Sequence, residues 1–134
     1  MSSSGSVSRT SQKYIHQLDQ ILGKEYKTYF YDKDGKEYGK NLGNRWVFLD
    51  YFILELNLCI EYNGDLYHAN PKFYKEDDEP IPFNNMKALE IWEKDNEKIS
   101  LLKEKYNIDV ITVWESDLPL IEDLIKTIKS YDKR

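Results

Sequence analysis

The chain has 134 residues, of which 40% are hydrophobic and 14% aromatic, a composition that excludes a disordered polypeptide and indicates a single globular domain. A formal net charge of −5 argues against a nucleic-acid-binding surface that extends over the whole chain. The single cysteine, Cys59, excludes a disulfide framework and favours a reducing intracellular setting.

The beginning of the chain, "MSSSGSVSRTSQ", lacks the apolar segment of a signal peptide. We predict that residues 1–9 form a flexible tail or linker and that residues 10–134 form one domain. No apolar run approaches the roughly 18 residues that a membrane span requires, so no membrane partner is expected. Residues 1–45 carry eight Lys and Arg against five acids, whereas the rest carries 11 against 19, which is compatible with nucleic-acid contact through one face.

The first elements are a helix and two hairpins. Apolar residues at helical spacing in "TSQKYIHQLDQILG" predict a helix that Thr10 or Ser11 caps and Gly23 ends. The alternating segment "YKTYFYDKDGKEYGK" contains Asp34-Gly35, a hairpin signal. "RWVFLDYFI" and "LNLCIEYNG" are predicted strands of a second hairpin, joined at residues 54–56.

A proline-rich, acidic loop, "ANPKFYKEDDEPIPFNN", separates these strands from an amphipathic helix predicted from about Asn85 to Tyr106. "IDVITVW" is predicted as a buried strand, and the last helix is predicted to have Ser116 or Asp117 as its cap and Pro119 in its first turn. The resulting order, α-β-β-β-α-β-α, indicates an α/β (α+β) fold with a central mixed sheet flanked by helices.

Two acids lie in strands that are otherwise apolar. With the hairpin turn near residues 54–57, Asp50 and Glu61 fall almost opposite each other, where cross-strand Cβ atoms lie roughly 4.5–5.5 Å apart. Adjacent carboxylates repel unless a cation neutralises them, and hard oxygen ligands suit Mg²⁺. The alternative is that both acids point to solvent from a half-exposed strand.

Further polar residues follow in "YNGDLYH" and on the long helix. A neutral His68 could accept a proton from a water, or could simply bond a loop carbonyl. Asn63 and Asp65 are explained best by turn formation. Asp95 and Lys98 share a helix face, for which a surface ion pair is the ordinary interpretation.

Four segments in order, "LDYFI", "CIEYNGDLYH", "WEKDNEKISLLKEKY" and "VITVWESDL", resemble the very-short-patch repair endonuclease family. They also resemble its phage-borne relatives, the homing endonucleases named for an E-D-x-H-D residue series. Both groups have the PD-(D/E)xK restriction-endonuclease-like fold. The resemblance spans roughly residues 10–120 of this chain.

The resemblance implies roles for particular residues. It makes Asp50 a metal-binding aspartate and places Glu61-Tyr62-Asn63 at a variable position that offers a side chain or a backbone carbonyl to the metal. It makes His68 the residue that activates the attacking water, with Asp95 and Lys98 as the later helix residues of the site. The metal ligands expected here are Asp50, Glu61 and the Tyr62 carbonyl, and the metal is Mg²⁺ or Mn²⁺.

The chain also departs from the family pattern. Gln12 falls at the first-helix glutamate, and an amide can orient a water or phosphate but cannot act as a base. Asn63 stands where the usual lysine would lie, which moves the burden to His68. Cysteine ligands for the structural zinc of the repair enzymes are missing, which favours the phage homing branch and a bacterial or phage-infected host cytoplasm.

The resemblance therefore implies a metal-dependent DNA endonuclease whose substrate is double-stranded DNA. Predicted DNA contacts are Lys13, Arg45, Asn63 and Tyr67, although Tyr67 could equally pack in the core. Because affinity comes mainly from neutralised phosphates, a −5 chain is expected to work with a separate DNA-binding domain or a second copy. The alternatives are an inactive nuclease-fold module that binds nucleic acid, a restriction or mismatch-repair nuclease, and a structural domain without a site.

Overall fold

The computed structural model describes residues 9–33 and 38–134. Its elements, in chain order, are α1 (Arg9–Leu22), β1 (Thr28–Phe30), β2 (Tyr38–Asn41), β3 (Trp46–Leu49), β4 (Tyr51–Ile53), β5 (Leu58–Asn63), α2 (Ala88–Tyr106), β6 (Asp109–Trp114), a 3₁₀ turn (Glu115–Asp117) and α3 (Ile121–Lys129). The predicted class, a mixed sheet flanked by helices, is confirmed. Within the described part of the chain, no helix is both long and apolar enough to cross a membrane.

The central sheet has the strand order β1-β4-β5-β6, and β2 and β3 form a separate two-stranded sheet. Pairing is antiparallel between β1 and β4 and between β4 and β5, but parallel between β5 and β6. A parallel pair needs a long crossover connection, and here α2 provides it. The sheet is therefore mixed because α2 returns the chain to the same end from which β5 started.

The two faces of the sheet carry two apolar clusters. Residues from α1 and α3 pack with Leu58, Ile60 and other side chains on one face. Side chains of α2 and of the β2–β3 hairpin pack with Phe52 and Cys59 on the other. This division follows from the alternation of side chains along a strand.

The β4–β5 turn also fixes the C-terminal end of α2. Asn57, in the left-handed conformation with φ of 49°, donates from Nδ2 to the carbonyls of Tyr106 at 2.9 Å and Asn107 at 2.7 Å. Asn107 ends the helix in the left-handed conformation, with φ of 56°, as asparagine commonly does. The β4–β5 turn is therefore joined directly to the C-terminal end of α2.

Several predicted boundaries were wrong. The long helix begins at Ala88 rather than Asn85, and α3 begins at Ile121, so Pro119 precedes it and Ser116 and Asp117 belong to the 3₁₀ turn. The reason is local, since a residue before proline avoids helical dihedral angles and Leu118 is extended, with ψ of 128°.

The described residues of the first half of the chain contain five strands instead of the predicted three. Asp50 interrupts the predicted strand at residues 45–53, because β3 pairs with β2 whereas β4 joins the central sheet. The Asp34-Gly35 turn lies outside the described residues, but the segments flanking it belong to different sheets. Of the predicted tail, only Arg9 is described, as the first residue of α1. The strand predicted as buried, β6, is the sheet edge and is mostly half-buried.

Candidate active site

The register of β4 and β5 brings Asp50 and Glu61 together. Tyr51 pairs with Ile60 and Phe52 with Cys59, and the same register, continued by one residue, places Asp50 opposite Glu61. Two hydrogen bonds join these positions: the Asp50 N–H donates to Glu61 Oε2 at 3.0 Å, and the Tyr62 N–H donates to Asp50 Oδ2 at 2.8 Å. The predicted cross-strand pair of acids is therefore present.

The chain passes from the two-stranded sheet to the central sheet between β3 and β4, and this explains why the N–H of Asp50 is available. Asp50 is the single residue between two strands that belong to different sheets, so its N–H is released from the strand ladder. A released amide needs another acceptor, and the Glu61 carboxylate supplies one. Asp50 is thus held at the break in the strand by the residue that it faces.

Lys98 of α2 pairs with one of these two acids, Glu61. Its Nζ forms a close ion pair with Glu61 Oε1, and the exposed fractions of the two side chains are 19% and 10%. The ordinary interpretation of Lys98, a surface ion pair with Asp95, is therefore wrong. A lysine therefore contacts the Glu61 carboxylate, but from the crossover helix rather than from the position of Asn63.

The electrostatics of the pair are asymmetric. Burial, and then the charge of Glu61, raises the pKa of Asp50 well above its ordinary value. Burial would also raise the pKa of Glu61, but Lys98 and the Asp50 N–H outweigh burial and lower that pKa. Burial lowers the pKa of Lys98, whereas Glu61 raises it above its ordinary value. Glu61 and Lys98 therefore form a buried ion pair, whereas the charge of Lys98 only partly offsets the burial and the Glu61 charge that raise the pKa of Asp50.

His68 lies against the same helix. Its Nδ1 is 2.9 Å from Asp95 Oδ2, with exposed fractions of 35% and 31% for the two side chains. The alternative in which His68 bonds only a loop carbonyl is therefore wrong, because its partner is a carboxylate. With Nδ1 occupied, Nε2 is the nitrogen that remains for a water or a substrate.

One turn of α2 links these two groups. Asp95 and Lys98 are three positions apart, so they project from one side of the helix. The first contacts His68 and the second contacts Glu61. The helix therefore sets the position of the histidine relative to the carboxylate pair.

The loop that carries His68 is held by side-chain hydrogen bonds that the sequence analysis did not predict. The Asp65 carboxylate accepts from Asn70 Nδ2 at 2.8 Å and from Ser116 Oγ at 3.2 Å. The indole N–H of Trp92 donates to the carbonyl of Ala69 at 2.6 Å. These contacts flank His68, so its ring is presented by a loop with fixed ends.

The donor set suits a hard divalent cation. Because a strand residue directs its N–H and C=O to the same side, the Tyr62 carbonyl faces the side of Asp50, to which its N–H donates. In the residues that the structure describes, no three His, Cys, Asp or Glu side chains gather as a metal site. Mg²⁺ commonly takes one or two carboxylates and retains waters. Asp50, Glu61 and the Tyr62 carbonyl offer oxygens of this kind, and both oxygens of Glu61 already have partners, Lys98 and the Asp50 N–H.

The other predicted residues are more dispersed. Gln12 lies in the first turn of α1, and among the described residues its buried Oε1 has no hydrogen-bond partner. Lys13 is exposed on α1, and Tyr67 is 59% exposed, so packing of Tyr67 in the core is wrong. Arg45 donates to the Lys94 carbonyl at 3.1 Å, which ties the β2–β3 hairpin to α2. Asn63 ends β5, two residues beyond Glu61.

Comparisons of the chain with models of known protein families, with curated proteins and with solved structures found no match.

Proposed function

We propose that this chain is a metal-dependent DNA endonuclease that hydrolyses phosphodiester bonds, and that it is the catalytic domain of a phage-type homing endonuclease. One observation carries the proposal: Asp95 and Lys98, one turn apart on α2, contact His68 and Glu61, and Glu61 in turn bonds Asp50. An acid pair, a lysine and a histidine–carboxylate pair are groups that can together catalyse phosphodiester hydrolysis.

Asp50, Glu61 and the Tyr62 carbonyl would hold Mg²⁺ or Mn²⁺. When bound, such a cation supplies charge stabilisation for the phosphoryl oxygens and lowers the pKa of water. Burial, and then the charge of Glu61, raises the pKa of Asp50, and the charge of Lys98 opposes this only in part. A dication beside Asp50 would stabilise its ionised form. Lys98 already neutralises Glu61, so a dication would add positive charge mainly beside Asp50.

His68 is the proposed general base. Its Nε2 accepts the proton that the attacking water loses, while Asp95 at Nδ1 orients the ring and stabilises the imidazolium that results. The water oxygen forms a bond to phosphorus and the bond to the 3′ oxygen breaks. Solvent then returns a proton to that leaving oxygen.

The proposed substrate is double-stranded DNA, held with help from a separate DNA-binding domain or a second copy. The net charge of −5 supports this division of labour, because few phosphates could be neutralised by the domain itself. The proposed DNA contacts of this chain are the exposed Lys13 and Tyr67, together with Asn63 and Arg45, which lie nearer to α2.

Plasmid nicking in Mg²⁺ tests the activity. We expect Asp50→Asn and His68→Ala each to lower the rate by about 100-fold or more, since each removes a group that acts on the reacting atoms. The chain offers matched controls: His16, which also pairs with an aspartate (Asp32, at 2.6 Å), and the exposed Asp117. His16→Ala and Asp117→Asn should nick at the wild-type rate. Full activity in both site variants would overturn the proposal.

A module that binds nucleic acid without cutting it is the second candidate. Gln12, which stands where the resembled family has an acid, and Asn63, which stands where the usual lysine would lie, favour this alternative. Thermal unfolding with Mn²⁺ separates the two, because a degenerate site should give no stabilisation by metal.

A further inference from the structure

A pocket of about 400 Å³ lies between α2 and the ends of β5 and β6, beside the candidate active site. Residues from both strands, α2 and the loop line it: Asn63, Pro71, Trp92, Asp95, Asn96, Ile99, Thr112 and Trp114. The chemistry described above uses only Asp95 of these side chains. The remaining lining residues, among them the indoles of Trp92 and Trp114, take no part in that chemistry.

The strand register shows how closely this pocket adjoins the acids. In the parallel pairing of β5 and β6, Glu61 lies beside Thr112 and Asn63 lies beside Trp114. Asn63 is two residues beyond Glu61, which corresponds to about 7 Å along a strand. A nucleotide whose phosphate lies at Asp50 and Glu61 therefore has its neighbouring base within reach of the pocket.

The charge and the aromatic side chains of the lining favour the base of a nucleotide over its phosphate. Of the described residues that line the pocket, only Asp95 is charged, and its charge is negative. A phosphate is repelled there, whereas an aromatic, neutral base is not. The indoles of Trp92 and Trp114 offer surfaces on which a base can stack, and stacking is tolerant of sequence because every base has a π-face.

Hydrogen-bonding groups surround these indoles. The amides of Asn63 and Asn96 each combine a donor with an acceptor, as the edge of a base does. Trp92 is fixed by its bond to the Ala69 carbonyl, so the wall that it forms is preset by the loop that carries His68. Aromatic walls with a polar edge are how proteins accommodate a base that has left the helical stack.

We propose that this pocket binds a nucleobase turned out of the stack, from a nucleotide adjacent to the scissile phosphate. The proposal rests on the nuclease function proposed above, since it is the active site that would bring DNA to the pocket. It adds a positioning role for Trp114 and Asn96, which lie beside the reacting groups.

The test compares two probes of equal charge in EDTA: a short oligo(dA) and an abasic oligomer with the same number of phosphates. We expect the wild-type chain to bind oligo(dA) about 10-fold more tightly, since stacking contributes on this scale. Trp46→Phe removes the exposed tryptophan of β3, so that quenching of the remaining fluorescence reports Trp92 and Trp114.

Variants locate the effect. Trp114→Ala should abolish the preference for oligo(dA), and Asn96→Ala should reduce it about threefold, since it removes a single hydrogen-bonding group. Asn96 is exposed on α2, so this variant is expected to fold even where Trp114→Ala does not. Trp46→Ala is the matched control and should retain the preference. Trp92→Ala is unsuitable, because it would also release Ala69.

Equal affinity for the two oligomers, or a preference that both pocket variants retain, would overturn the base pocket. The nicking assay separates this failure from failure of the nuclease function. Nicking without any base preference would leave the nuclease and remove the pocket. Base preference without nicking would leave the pocket in a protein that binds nucleic acid but does not cut it.

Discussion

The two faces of the central sheet are built from the same strands but from different kinds of residue. Along β5, Leu58 and Ile60 point into the apolar cluster with α1 and α3, whereas Glu61 lies in contact with Lys98 of α2. Both faces are buried, and Leu58 and Glu61 are only 0% and 8% exposed. Burial alone therefore does not distinguish the apolar face from the face that carries Asp50 and Glu61.

What distinguishes them is how each face compensates for burial. Apolar side chains gain free energy by leaving water, so Leu58 requires only contacts. A buried carboxylate requires partners, and Glu61 has the Lys98 ammonium, the Asp50 N–H and the Cys59 thiol. An apolar residue of similar size often stabilises a fold as well as a buried ion pair does, so the proposed function supplies the reason for a charged pair on this strand.

The largest effect on stability should come from removing one charge of the buried pair. Lys98→Met leaves Glu61 without its ammonium partner and is expected to lower the free energy of unfolding by about 3–5 kcal/mol, measured by urea denaturation. Adding Glu61→Gln to this variant should restore much of the loss, because neither charge is then left alone. A loss from Lys98→Met below about 1 kcal/mol, the range of exposed pairs, would contradict the burial of the pair.

A change of nearly the same size is expected on the apolar face, with a different consequence. Leu58→Ala should cost about 2–5 kcal/mol, from lost transfer free energy and the cavity that remains. Nicking per folded molecule should stay unchanged, since Leu58 points away from α2. The exposed Leu54 is the matched control, and Leu54→Ala should alter stability by no more than about 0.5 kcal/mol. Loss of nicking in folded Leu58→Ala would mean that the faces are not independent.

The register of the site could be predicted because it is local. A turn at residues 54–57 and the period-2 pattern of its flanking strands are enough to place Asp50 opposite Glu61, which the pairing of β4 with β5 confirms. The break at Asp50 was not predicted, since Asp50 is the single polar residue in the otherwise apolar run of residues 46–53. Only the competing pairing of β3 with β2 divides it.

The partners of the site residues could not be predicted in the same way. Local spacing on the helix predicts an ion pair of Lys98 with Asp95. In the structure Lys98 instead contacts Glu61, 37 positions earlier, because of the way α2 packs on the sheet. Similarly, the roles of Trp92 and Asn70 depend on how the loop after β5 docks on α2 and on the 3₁₀ turn. Sequence periodicity gives the face of each element, but the pairing of faces requires the packed structure.

Metal binding should stabilise the folded state by an intermediate amount, and only through the face of the sheet that carries Asp50 and Glu61. With free Mg²⁺ or Mn²⁺ about 100-fold above its Kd, the folded state should gain about 2.7 kcal/mol, seen as a higher Tm. Asp50→Asn should lose this gain, whereas Asp117→Asn, at an exposed position, should keep it. An equal shift of Tm in Asp50→Asn and wild type would place the ion elsewhere.

The smallest effects on stability should come from the two histidine–aspartate pairs, which sharpen the comparison further. His16–Asp32 and His68–Asp95 have similar distances, 2.6 and 2.9 Å, and all four side chains are at least 31% exposed. Exposed pairs contribute roughly 0–1 kcal/mol, so Asp32→Asn and Asp95→Asn should both unfold near the wild-type Tm. Nicking should separate them: Asp95→Asn should lose at least about 10-fold, because an amide does not stabilise the imidazolium of His68, and Asp32→Asn should lose nothing. Equal nicking in the two variants would show that His68 reacts without help from α2, and the helix would then serve the site only through Lys98.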